Sequence, residues 1–244
     1  MIKLLLVQEL KNQKRSNIQN FPVTYILNLE TATKNCSVSI SQNGKTILCK
    51  EMAEEGYSHA EKLHVFIEEC LKESNVTFKE LSAIAVSQGP GSYTGLRIGV
   101  SAAKGLCFAL DIPLIAIDTL QVLASQLSIS EGIIIPMIDA RRMEVYSAIY
   151  NSKLDKIREV QAEILTENSF EEIAESIHFV GDCAEKAKTV LTNTNFIFHE
   201  EIIYPSANEI SALSYQKFQQ SKFEDVAYFE PYYLKDFMAT VSKK

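Results

Sequence analysis

Apolar and polar positions settle into a readable rhythm only from residue 24 onward. Residues 24–30 and 36–42 are β-rich runs. Asn43-Gly44, the strongest short hairpin signal, leads into a third run over 45–52. A helix follows, with Ser58 as N-cap and Glu61 three residues on completing a capping box. Its apolar residues Ala60, Leu63, Ile67, Cys70 and Leu71 recur at helical spacing and define one face. Then come a strand (83–87), a glycine-rich turn, a helix (92–110) and a strand after Pro113 (114–117). The second half repeats this plan in shorter form. It has strands at 132–138, 144–150 and 157–165, a helix at 169–176, a strand at 178–180, a helix at 184–191 and a strand at 196–199. A last helix spans 208–220.

Two successive βββαβαβ series predict an α/β protein in which antiparallel hairpins join parallel strands through right-handed crossovers. Such a duplication is the plan of two ribonuclease-H-like lobes in the actin-type ATPase architecture. The expected division is an extension over 1–22, dispensable for folding, a first lobe over 23–118 and a smaller second lobe over 119–205. Residues 206–244 form a helix and tail packing back on the first lobe.

Composition narrows the setting. The 244 residues carry 24 Lys+Arg against 31 Asp+Glu, a net charge of −7 that argues against stand-alone nucleic-acid binding. No apolar run approaches the roughly 18–20 residues needed to span a bilayer. The apolar start at residues 2–7 is too short for a signal peptide and lacks a small-residue cleavage site. Five cysteines without a CxxC pair fit a reducing cytoplasm. A cytoplasmic protein is expected.

The most specific stretch is Ser87-Gln88-Gly89-Pro90-Gly91-Ser92-Tyr93-Thr94-Gly95-Leu96-Arg97-Ile98-Gly99. It resembles the hallmark of the TsaB family, the non-catalytic partner in bacterial threonylcarbamoyl-adenosine tRNA modification. The resemblance continues in residues 25–39, in Ser58-His59-Ala60-Glu61, in Asp139-Ala140-Arg141-Arg142-Met143-Glu144-Val145-Tyr146 and in Pro231-Tyr232-Tyr233-Leu234. It implies a scaffold without catalytic residues that binds and stabilises a TsaD-like catalytic subunit together with a TsaE-like ATPase. It also implies a homodimer in isolation and tRNA contact only through the complex. Pairing in the family runs through the first-lobe helices. That makes Leu63, Val65, Phe66, Ile67, Cys70, Ile98 and Ala102 candidate interface residues. Peptidase activity, suggested by older naming of relatives, is not expected.

The residues themselves carry little enzyme chemistry. A Walker loop needs Lys and Ser or Thr after its last glycine, whereas Gly95 is followed by Leu96-Arg97. The dinucleotide pattern GxGxxG fails at Thr94. The turn can still hold an anion at a helix N-terminus, but tight helix–sheet packing is the favoured role of Gly89, Gly91 and Gly95. An actin-type phosphate grip is degenerate too, because neither Glu30-Thr31-Ala32-Thr33 nor Asp139-Ala140-Arg141-Arg142 contains glycine. Glu30, Thr31, Gly89, Gly91, Ser92, Thr94, Gly95, Arg97, Asp139 and Arg141 remain the family-motif positions at which an anion or nucleotide would be contacted. No cofactor is expected beyond weak ATP or ADP binding at a shared interface. An actin-fold ATPase or small-molecule kinase with degenerate phosphate loops is the alternative. No metal is expected: His59 and His64 stand five apart on a helix, on different faces, and His178 and His199 fall on separate strands without an obvious carboxylate.

Overall fold

The computed structural model describes residues 23–53 and 59–235. The N-terminal extension and the Ser58 cap therefore lie outside the described residues. The first sheet contains β1 (Tyr25–Glu30), β2 (Asn35–Gln42), β3 (Lys45–Ala53), β4 (Leu81–Gly89) and β5 (Leu114–Asp118), in the order β3-β2-β1-β4-β5. The second contains β6 (Ile133–Asp139), β7 (Glu144–Asn151), β8 (Lys156–Ile164), β9 (Ile177–Val180) and β10 (Phe196–His199), in the order β10-β9-β6-β7-β8. Read from opposite ends, the two orders are the same. Each sheet pairs three antiparallel strands with two parallel additions.

Alternation along β2 shows how one strand serves two layers. Cys36, Val38 and Ile40 enter a core with Leu63, Phe66, Ile67 and Cys70 of α1 (His59–Ser74) and Val100, Ala103 and Cys107 of α2 (Tyr93–Leu110). On the other face, Ser37, Ser39 and Ser41 belong to a fully buried polar seam beneath the last helix, Ala207–Gln219. There Asn28 donates to Ser39, Ser41 and Ser211 at 3.0, 3.3 and 3.2 Å, and Ser214 donates to Asn28 at 2.7 Å. The hairpin between β2 and β3 turns on Asn43 (φ 50°) and Gly44 (φ 82°), the two left-handed positions of a type I′ turn.

Three segments depart from the helices expected. Residues 169–176 form turns: Phe170 adopts φ 66° and buries its ring 5.7 Å from that of Phe179. The helix after Cys183 covers only Ala184–Lys188 rather than running to 191. An additional helix, Thr119–Ala124, follows β5 directly because Asp118 caps it, accepting from the Leu120 N–H at 2.9 Å and the Gln121 N–H at 3.4 Å. In chain order Thr119–Ala124 is α3, Ala184–Lys188 is α4 and Ala207–Gln219 is α5. Among the described residues no helix is long and apolar enough to cross a membrane.

Candidate functional site

The glycine-rich turn links β4 to α2 and lies against the β1–β2 connection. Ser92 caps α2, its hydroxyl accepting from the Gly95 N–H at 3.3 Å, and its own N–H donates to the Ala32 carbonyl at 2.7 Å. A Cβ on Gly91 would stand 2.3 Å from the Ala32 carbonyl oxygen, and one on Gly95 2.0 Å from that of Thr31. On Gly99 it would stand 2.2 Å from the Thr31 hydroxyl. These glycines let one face of α2 lie directly on residues 31 and 32. The turn is thus seated against this chain's own backbone.

Glu30 ends β1, fully buried. It accepts from the Ala32 N–H at 2.6 Å and from the Ser87 hydroxyl. Burial raises its pKa to about 7, partly offset by the Ser87 bond and by the backbone donors of Ala32 and Thr31. Both its oxygens therefore serve the fold. Thr31 donates to the Gly95 carbonyl at 2.8 Å. In the second lobe Asp139 is held by the Lys186 ammonium and accepts from the Arg141 N–H at 2.9 Å. Arg141 (φ 74°) and Arg142 (φ 53°) form the tip of the β6–β7 hairpin, a left-handed pair carried without glycine. Asp182 accepts from the Asp139 N–H at 2.8 Å, and burial raises its pKa.

Between the lobes lies a cleft of about 660 Å³ whose walls include Ser92, Tyr93 and Thr94 on one side and Asp139, Arg141 and Tyr146 on the other. Of the predicted contact positions, Gly91, Ser92, Thr94, Asp139 and Arg141 line it. Gly95 and Thr31 are buried beneath it. Gly89 (φ 117°) sits against the Tyr232 carbonyl. Arg97 faces away, donating to the Tyr93 hydroxyl at 3.2 Å with its guanidinium 5.3 Å from that ring's centre.

A second concavity of about 690 Å³ runs along the outer sides of α1 and α2, walled by Ala60, His64, Ile98, Ala102, Gly105 and Leu106. Of the candidate interface residues, Ile98 and Ala102 line this groove, and Val65 is 46% exposed on α1. The other four are placed differently. Leu63, Phe66, Ile67 and Cys70 lie under the helix in the first-lobe core, with Phe66 only 8% exposed. The apolar face of α1 is wide because β2, β3 and α2 all pack against it. His64 and Leu106 also line the groove, although sequence pattern does not mark either as an interface position; their one signal is a position off the core stripe.

His59 is buried and bonded through Nε2 to the Thr33 carbonyl at 2.8 Å. His178 and His199 meet across adjacent strands, Nδ1 to Nε2, at 2.9 Å. A carboxylate invisible in the sequence pattern completes the row: Glu201 lies 3.3 Å from His199 Nδ1. Among the described residues no group of three or more His, Cys, Asp or Glu side chains is placed so that it could hold a metal ion.

The duplicated sheets and the cleft between them define a two-lobed α/β protein of ribonuclease-H-like, actin-type architecture. YeaZ from Pseudomonas aeruginosa shares this fold with a TM-score of 0.77 at 24% identity, over 86% of this chain and 100% of that one. The family model of TsaD, tRNA N6-adenosine threonylcarbamoyltransferase, matches residues 51–242. The chain belongs to this family, and its TsaB-named relatives identify it with the TsaB branch. TsaB of Escherichia coli K12, a tRNA threonylcarbamoyladenosine biosynthesis protein, is 27% identical over 88% of this chain and 96% of its own length. The Bacillus subtilis TsaB is 33% identical over 55% of this chain and 58% of its own. A Bacillus thuringiensis tRNA N6-adenosine threonylcarbamoyltransferase is 38% identical, over 38% of this chain and 32% of its own length.

Proposed function

We propose that this chain serves tRNA threonylcarbamoyladenosine biosynthesis as a non-catalytic scaffold in the cytoplasm. It docks a TsaD-like catalytic subunit, works beside a TsaE-like ATPase and pairs with itself when alone. The observation that carries this reading is the filling of the glycine turn by the carbonyls of Thr31 and Ala32. Glycines spent on packing the turn against the chain's own backbone support a structural role for this motif over a catalytic one. Among the described residues the groove along α1 and α2 is open on the first lobe, apolar at Ile98, Ala102 and Leu106 and small-walled at Ala60 and Gly105. Small residues let a partner helix approach closely, and apolar ones supply the area it buries. With a net charge of −7, tRNA contact falls to the partner.

Reconstitution tests the reading. Counterparts of the threonylcarbamoyl-adenylate synthase, TsaD and TsaE are assayed for modified tRNA with and without this chain. Product formation that depends on this chain is the expected result. Full product in its absence refutes the scaffold role, and magnesium-dependent ATP hydrolysis by this chain alone would favour an ATPase.

A further inference from the structure

The C-terminal segment is fastened along its whole described length. Beyond α5, the Glu224 N–H donates to the Leu114 carbonyl on edge strand β5 at 2.9 Å. Lys104 of α2 donates to the carbonyls of Ala227 at 3.2 Å and Phe229 at 2.8 Å. The Tyr232 N–H donates to the Gln88 carbonyl at 2.7 Å, and a Cβ on Gly89 would stand 2.6 Å from the Tyr232 carbonyl oxygen. The Tyr233 ring lies 5.0 Å from that of Tyr93, and Lys235 pairs with Glu144 on β7, in the other lobe. Among the described residues the segment is thus anchored to the first lobe by hydrogen bonds at its backbone and reaches the second through this partly exposed ion pair. Ion pairs of that kind are individually weak.

Tyr93 has a second property. It walls both the interlobe cleft and the groove outside α2, and Arg97, also in that groove, is bonded to it. A continuous row of contacts therefore runs Arg97–Tyr93–Tyr233 and on through the strap to Lys235 and Glu144.

We propose that residues 222–235 form a clasp that holds the two lobes together across the cleft, with Tyr93 as the shared wall through which the α1/α2 groove acts on it. Displacing Arg97 or Tyr93 from the groove side loosens Tyr233, and with it the grip on the β6–β7 hairpin. That a protein partner supplies the displacement rests on the docking role proposed above; the clasp itself does not.

Hydrogen exchange on the isolated full chain tests the clasp without any partner. In Tyr233→Ala and in Arg97→Ala, amides of residues 139–146 should exchange about fivefold faster, with α5 unchanged. Glu144→Lys should do the same, and adding Lys235→Glu should restore the original rate. Unchanged exchange at 139–146 in both Tyr233→Ala and Arg97→Ala overturns the proposal, as does failure of the charge swap to restore protection. Because no partner is present, the result stands whether or not the reconstitution succeeds.

Discussion

Thr31 donates from its hydroxyl to the Gly95 carbonyl at 2.8 Å, while its own carbonyl oxygen occupies the space where a Gly95 side chain would begin, 2.0 Å away. This reciprocal contact joins the end of β1 to the first turn of α2 and explains why a glycine stands inside a helix. Gly95→Ala forces backbone apart rather than shifting a flexible side chain. Urea denaturation should show a loss of about 1–3 kcal/mol. A Cβ on Gly105, in the same helix, would meet no atom within 4 Å. Gly105→Ala should instead gain up to about 1 kcal/mol from helix propensity. A loss at Gly105 comparable with that at Gly95 would contradict the packing assigned to the turn.

The glycine spacing is legible in the sequence and the reason for it is not. The strand–turn–helix pattern places Gly91 in the turn and Gly95 and Gly99 on one side of the helix, but the carbonyls and hydroxyl they accommodate come from residues some sixty positions earlier. Asn43-Gly44 is readable because an I′ turn is a two-residue matter. The six residues of Thr119–Ala124 are too few to show a period, and their helix depends on the Asp118 cap and on burial. Residues 169–176 carry a helical pattern that tertiary packing overrides, since Phe170 reaches Phe179 from a left-handed backbone. The division of α1 between core and groove is hidden for a similar reason. Periodicity identifies its apolar residues, but which of them are covered is set by strands and a helix distant in the chain.

Glu30 gives the first lobe a dependence on pH. Its folded pKa is raised to about 7, chiefly by burial, so between its ordinary value and about 7 the folded state binds more protons than the unfolded one. Its contribution to stability is fully present at low pH and declines as pH rises through that window. Chemical denaturation at pH 5 and pH 8 should show Glu30→Gln gaining on the wild type by roughly 2–3 kcal/mol across the interval. Parallel stability curves for the two proteins would rule out this role.

The second lobe should respond in the opposite direction. His178 has its pKa lowered by burial and then by the neighbouring His199, so the fold favours its neutral form. Stability from this group is present above the ordinary histidine range and is lost as pH falls through the lowered value. Protonating His178 also places a charge 2.9 Å from the His199 ring nitrogen. Amides of β9 and β10 should exchange faster at pH 5 than at pH 7.5 once intrinsic rates are corrected, and His178→Gln should flatten the difference. An unchanged ratio in the variant would show that the pair does not govern this edge.

Core and groove on α1 and α2 are separated by charge substitution. Phe66 is 8% exposed among Val38, Ile40 and Leu63, so Phe66→Glu buries a charge and empties an aromatic site. A loss of about 3–5 kcal/mol in urea denaturation is expected. Val65, 46% exposed on the same helix, should tolerate Glu within about 0.5 kcal/mol. Ala102→Glu is the informative variant, because Ala102 is only partly buried and lines the groove beside Ile98 and Leu106. Its thermal transition should move little, while self-association and binding of a TsaD-like subunit should weaken at least roughly tenfold, since a carboxylate would be desolvated against an apolar partner face. Sedimentation velocity and titration calorimetry read the two interactions separately. Full affinity in both, with an intact fold, would place the docking surface elsewhere on the molecule.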